Sequence, residues 1–243
     1  MTFLLNLITA AVLYGTPLLY GTSGEILTEK SGNLNLGVEG MMFMGGAMGL
    51  GAAFYYEKLA GAAVSPPLAV IIAIVGSFLA GVLGALIFSF LTITLRANQN
   101  VTGLALTIFG TGVGQYLGEF MRVREGTYVA VSNTLKAAFN NSPFPAPLQD
   151  LPVVGSLLFG RSIFPYLGVA MAVAMGLYLR RSRSGLYLRA VGESPATADA
   201  AGINVTRYKY LATIIGGGIS AVGGMVYIMT VVGGVWNHEG LSG

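Results

Sequence analysis

The sequence predicts an all-α polytopic membrane protein, a helical bundle of about six spans, and three observations carry that reading. Of 243 residues, 54% are hydrophobic and only 9% charged, whereas about a quarter of a soluble domain is charged. The mean hydropathy is +0.71, and 36 residues are glycine, which is commoner in transmembrane helices than in soluble ones. Apolar stretches of roughly the 20 residues needed to cross hydrocarbon recur along the chain. A soluble chain this apolar would expose more greasy surface than a monomer tolerates.

The first span is expected over 2–22, TFLLNLITAAVLYGTPLLYGT. It has neither a basic n-region nor a small-residue cleavage site, so it reads as a retained helix rather than a signal peptide. Next comes EKSGNLNLGVEG, residues 29–40, a Gly-punctuated polar stretch that predicts a broken helix near 31–37. Span two covers 40–56 and ends at Glu57 and Lys58; Phe54, Tyr55 and Tyr56 read as an interfacial aromatic belt. Span three, 66–95, opens on Pro66 and Pro67, which suit the first turn of a helix, and stops before Arg96. Asn98, Gln99 and Asn100 open span four, 100–120, either as caps or as a gate. Gly110, Gly114 and Gly118 lay a smooth stripe along it, the kind of face through which membrane helices pack closely. Span five covers 163–179. Span six, 207–236, carries a second stripe, Gly216, Ser220 and Gly224, and ends on Trp236, read as a further belt residue.

Between spans four and five lies a long loop, 121–162. Its start, EGTYVAVSNTLKAAF, suits a short interfacial helix; its middle, NNSPFPAPLQDLP, is too rich in proline for regular helix. Ordered loops of this length usually carry function or dock a partner. Orientation follows from Arg180, Arg181, Arg183, Arg189, Arg207 and Lys209, the densest basic cluster in the chain, which makes 180–209 cytoplasmic. The loop 121–162 and residues 57–65 are then extracellular, Arg96 to Gln99 and the break are cytoplasmic, and the N-terminus lies outside.

Several chemistries are excluded. With no cysteine there is no thiolate or disulfide chemistry. One histidine, His238, and no HExxH, GxSxG or paired carboxylate within a span leave no catalytic or metal-binding constellation. None of the lysines, Lys30, Lys58, Lys136 and Lys209, stands in a GK[ST] sequence, so no Walker A loop binds ATP. GTGVG at 110–114 has no preceding strand and is not a dinucleotide loop. A net charge of +3 confined largely to one loop argues orientation rather than binding of a nucleic-acid polymer. The centres of the expected spans hold no charge, which disfavours a proton- or ion-coupled carrier.

Within the cytoplasmic loop 180–206, Ser194 and Pro195 suit a helix start, Ala196 to Ala201 are good helix formers, and Gly202 is a natural stop. A short helix with a small, smooth face fits a groove on another protein. The string LRAVGESPATADAAGINVTRYKYLATIIGGGISAVGG resembles the coupling segment of bacterial ABC importer permeases of the branched-chain amino acid, simple sugar and nucleoside superfamily. GEILTEKSGNLNLGVEGMMFMGGAMG, RANQNVTGLALTIFGTG and FPAPLQDLPVVGSLLFGRSIFPYLG resemble three further blocks of that family. The likeness runs through essentially the whole chain and is nearest to the second permease subunit of nucleoside-type importers.

That resemblance implies a non-catalytic transport subunit paired with a related permease, an ATP-binding subunit and an extracellular substrate-binding (lipo)protein, in the cytoplasmic membrane and bathed in lipid. It implies no cofactor in this chain, with ATP and Mg held by the partner ATPase. Nucleosides are the expected solutes, with simple sugars as the alternative. Members of the family continue beyond GLSG at 240–243 with further membrane segments, so six spans are expected to be part of a permease bundle. Asn33, Asn35, Asn98 and Gln99 are the candidate pathway residues, because side-chain amides both donate and accept and a helix break exposes backbone groups. Glu39 is expected to favour the next helix N-terminus. For the ATPase, Ser194 and Pro195 shape the coupling helix; Ala198, Asp199 and Ala200 are expected to touch the partner, and Arg189 and Glu193 to pair or join that contact. A carrier or channel acting alone, and a purely structural subunit, are the rival classes.

Overall fold

The computed structural model describes residues 2–149, 155 and 159–236. His238, the GLSG at 240–243 and Asp150 to Val154 of the proline-rich segment lie outside the described residues.

Helix α1 (Thr2–Glu29) runs beyond the expected 22, because SGEILTE continues it into the polar break. Helix α2 (Val38–Ala60) starts after the break, with Glu39 in its first turn, where a carboxylate complements the helix dipole. Helix α3 (Pro66–Ser89) opens on its two prolines and finishes in a wider turn over Phe90–Thr94. Asn98 caps α4 (Gln99–Glu125) by accepting the Val101 amide at 3.1 Å. Arg122 and Arg124 in the last turn and a left-handed Gly126 carry α4 one turn past the expected 120.

The loop after α4 differs from expectation in two places. Helix α5 (Asn133–Asn140) does not lie free at the interface: Leu135 and Phe139 are buried, and Phe139 stacks on Phe164 with ring centres 5.9 Å apart. One helical turn, α6 (Ala146–Gln149), stands inside the proline-rich middle, since Pro147 falls in a first turn, where no amide donor is needed. Helix α7 (Ile163–Arg181) matches the fifth span. It leads through Ser182 into α8 (Arg183–Glu193), a helix within the expected loop 180–206, and then into α9 (Pro195–Ala200). Helix α10 (Val205–Val226) extends in a wider turn to Val231.

Among the described residues, four helices, α1, α3, α7 and α10, are long and apolar enough to cross a membrane. Helices α2 and α4 have the length, 23 and 27 residues, but are diluted by glycine and polar ends. Helix α10 is the centre of the bundle: 67% of its apolar window is buried, against 17% for α1. It packs on α1, α2 and α3; α4 covers the far side of α2, and α7 flanks α1.

Both small-residue stripes are packing faces. A methyl group added at Gly224 would fall 1.7 Å from the Met42 carbonyl oxygen, and one at Gly110 would fall 2.6 Å from the Gly40 carbonyl. Without side chains there, dispersion contacts and backbone proximity hold the helices together. Trp236 is not a belt residue: it is buried, sits against Gly118, meets Phe43 edge-on at 6.2 Å, and donates its indole N–H to Glu119 at 3.3 Å.

The connections sort onto two ends. At one end Lys58 pairs with Glu125 at 2.5 Å, the Ser132 amide donates to Glu57 at 3.0 Å, and the Trp236 amide donates to the Val129 carbonyl at 2.8 Å. At the other end the break, the α3–α4 turn and the α8–α9 segment meet, together with Arg180, Arg181, Arg183, Arg189 and Arg207. This is the grouping that alternate crossing of the bundle requires.

Candidate functional site

The break begins where α1 runs out of partners. The Ser31 amide and hydroxyl both donate to the Thr28 carbonyl, at 3.0 and 2.6 Å, and Gly32 turns the chain with φ at +83°. That left-handed backbone suits glycine. Residues 33–37 then run without regular structure to the start of α2.

This segment is tied to three helices, α1, α4 and α10. Asn33, buried, donates its side-chain amide to Thr213 on α10 at 3.2 Å. Gln99 at the start of α4 accepts the Leu34 amide at 2.8 Å, and its own amide reaches the Gly32 carbonyl at 3.4 Å and Asn33 Oδ1 at 3.5 Å. Glu25 on α1 accepts the Asn35 amide at 2.8 Å. Asn35, also buried, accepts the Gly37 amide at 2.9 Å through its side chain, an Asx-type turn. Thr107 on α4 donates to the Leu36 carbonyl at 2.8 Å.

Beside the break opens a groove of about 880 Å³ between α1 and α2, with α10 as its floor. Tyr14, Phe43 and Tyr227 give it aromatic walls, and Glu25, Asn35 and Glu39 are polar groups gathered toward the break. Such a mixture, largely apolar with a few convergent polar groups, is the usual make-up of a small-molecule site. Of the sequence-predicted pathway residues, Asn35 lines this groove. Asn33 faces the interior, Gln99 clamps the break from α4, and Asn98 caps that helix.

Glu25 was missed: extending α1 to Glu29 puts this acidic residue near the end of a helix within the bundle, outside the span centres that were expected to be uncharged. Its second oxygen, Oε2, is buried without a hydrogen-bond partner. An acidic residue closing an apolar run ten positions before Asn35 was the available signal.

The segment that resembles a coupling segment stands at the same end. Pro195 opens α9; the Ser194 hydroxyl shares a 2.7 Å hydrogen bond with Thr197. The Gly202 amide donates to the Asp199 carbonyl at 2.8 Å and the Ile203 amide to the Ala198 carbonyl at 3.0 Å, closing α9 in a Schellman motif. Asp199 and Ala200 are exposed, but Ala198 is buried. Its methyl group faces the protein, so the expected partner contact at Ala198 is corrected; Pro195, Ala196, Thr197, Asp199 and Ala200 form the outer face. Arg189 and Glu193 lie 3.8 Å apart one turn from each other, both well exposed, a pair worth little in water.

A family model described as branched-chain amino acid transport system / permease component matches residues 5–242. The chain belongs to this permease family. Among curated relatives, the permease is 33% identical over 92% of its length to a Haloferax volcanii protein provisionally named a glucose ABC transporter permease. It is 29% identical over 98% of its length to the guanosine ABC transporter permease of Bacillus subtilis. A nucleoside ABC transporter permease of Lactococcus lactis is 29% identical over 94% of it. The permease spans 63%, 71% and 69% of the lengths of these three relatives. No solved structure gives a significant match. With its apolar helices, the permease is a multi-pass protein of the inner membrane.

Proposed function

We propose that this permease forms part of the translocation path of an ATP-binding-cassette importer for nucleosides. The observation that carries the reading is the meeting, at the basic end of the bundle, of an exposed helix suited to docking with the polar break that borders the groove. The positive-inside rule makes that end cytoplasmic, where an ATP-binding subunit would seat against α9 and hold ATP and Mg itself. Residues 126–149 then face outward, toward a substrate-binding (lipo)protein, and a related second permease completes the membrane unit. Hydroxyl-rich solutes suit the groove: carboxylates and side-chain amides accept and donate to hydroxyls and base edges, and Tyr14, Phe43 and Tyr227 offer ring faces.

Simple sugars are the second reading, favoured by the glucose permease relative at 33% identity. The test is uptake by cells lacking this chain. Labelled nucleoside uptake is expected to fall and to return on complementation. Unchanged nucleoside uptake with lost sugar uptake would move the assignment to sugars; loss of neither would remove it.

A further inference from the structure

The penultimate residue of α8, Gly192, touches the break backbone to backbone. A methyl group there would lie 2.4 Å from the Lys30 carbonyl oxygen and 3.1 Å from the Gly32 nitrogen. From the other side, one at Gly32 would lie 3.2 Å from the Gly192 Cα. Only Glu193 and Ser194 separate this contact from α9. Within three residues of Gly32, the chain reaches Asn35 on the groove wall.

We propose that Gly192 is a positioning residue for transport: through its contact with Lys30 and Gly32, the coupling segment sets the position of the break and so the shape of the groove. The inference rests on the proposed function, since it needs a subunit that moves α9. A second mechanical route runs through Ala198 and α10, but α10 is clamped by glycine packing on three helices and moves only with the whole core. The break is held by hydrogen bonds with Glu25, Gln99, Thr107 and Thr213 and by the close approach of Leu36 to Gly103 of α4, and it meets Gly192 directly. A glycine pair transmits displacement directly, because no side chain between the two backbones can absorb it by changing rotamer.

Hydrogen–deuterium exchange on the complete transporter, with and without ATP and Mg, tests this. Amides of 30–37 are expected to change exchange rate with nucleotide in the wild type. In Gly192→Ala that response is expected to vanish and uptake to fall by about tenfold, within the usual range for coupling between sites, while the ATP-binding subunit still co-purifies. Nucleotide-independent exchange of 30–37 in the wild type overturns the proposal, whether or not the variant folds. So does wild-type uptake by Gly192→Ala. Failure of any ATP-binding subunit to co-purify with the wild type removes the proposed function as well, which separates the two failures.

Discussion

Two side chains show what the break costs and what holds it. Asn33 gives its amide to Thr213, and the hydroxyl of Thr213 in turn donates to the Lys209 carbonyl at 2.9 Å. Asn33→Ala breaks a buried hydrogen bond between elements 180 residues apart in sequence, a loss of about 1–3 kcal/mol. A thermal melt in detergent is expected to show it as a lowered midpoint. Glu25 behaves differently. Glu25→Gln keeps an oxygen to accept the Asn35 amide and replaces a carboxyl group whose Oε2 has no partner, so the melting point is expected to hold or rise. Glu25→Ala strands the Asn35 amide and is expected to lower it. A Gln variant as unstable as the Ala variant would show that the hydrogen bond to the Asn35 amide does not hold the break. The sequence singled out Asn33 and Asn35 from their chemistry alone. It did not reveal their partners, because Thr213 and Glu25 approach only when α10 and α1 pack.

At the level of elements, the short helix was legible and its facing was not. Ser194, Pro195 and Gly202 delimit α9 by local rules that need no tertiary context. Which alanine points outward depends on how α9 lies on α8 and α10, and there Ala198 turns inward. Ala200→Trp is therefore the variant expected to abolish co-purification with an ATP-binding subunit while leaving membrane insertion and the melting point intact. Retained co-purification and uptake would remove α9 from the docking surface. The glycine stripes were equally visible as periodic small residues, and their partners again came only with the fold. Gly110→Leu drives a side chain into the Gly40 backbone on α2. Overpacking of this kind costs about 1–3 kcal/mol or more, and a lowered yield of folded protein on size-exclusion chromatography is the readout. Trp236 was misread because an aromatic at the end of a span ordinarily sits in the headgroup layer; here the chain folds back after α10 and places the indole in the notch that Gly118 leaves in α4.

Across the whole molecule, hydropathy and basic residues together ordered the six segments and sorted their connections onto two ends, since both signals are set by the bilayer rather than by side-chain packing. Helix α8 escaped notice because its arginine and glycine residues look like loop until α7 and α10 cover Leu188 and Val191. The groove escaped too, being a property of two helices that diverge around a third. Its position beside the break, and the break's position beside α9, put the proposed docking face and the proposed solute path on a single axis. The most direct test is ATP-driven uptake of labelled nucleoside into proteoliposomes holding the complex purified through a tag on this chain. Accumulation that requires ATP and Mg and disappears with Ala200→Trp is the expected result. Equal uptake without ATP, or with Ala200→Trp, would contradict it.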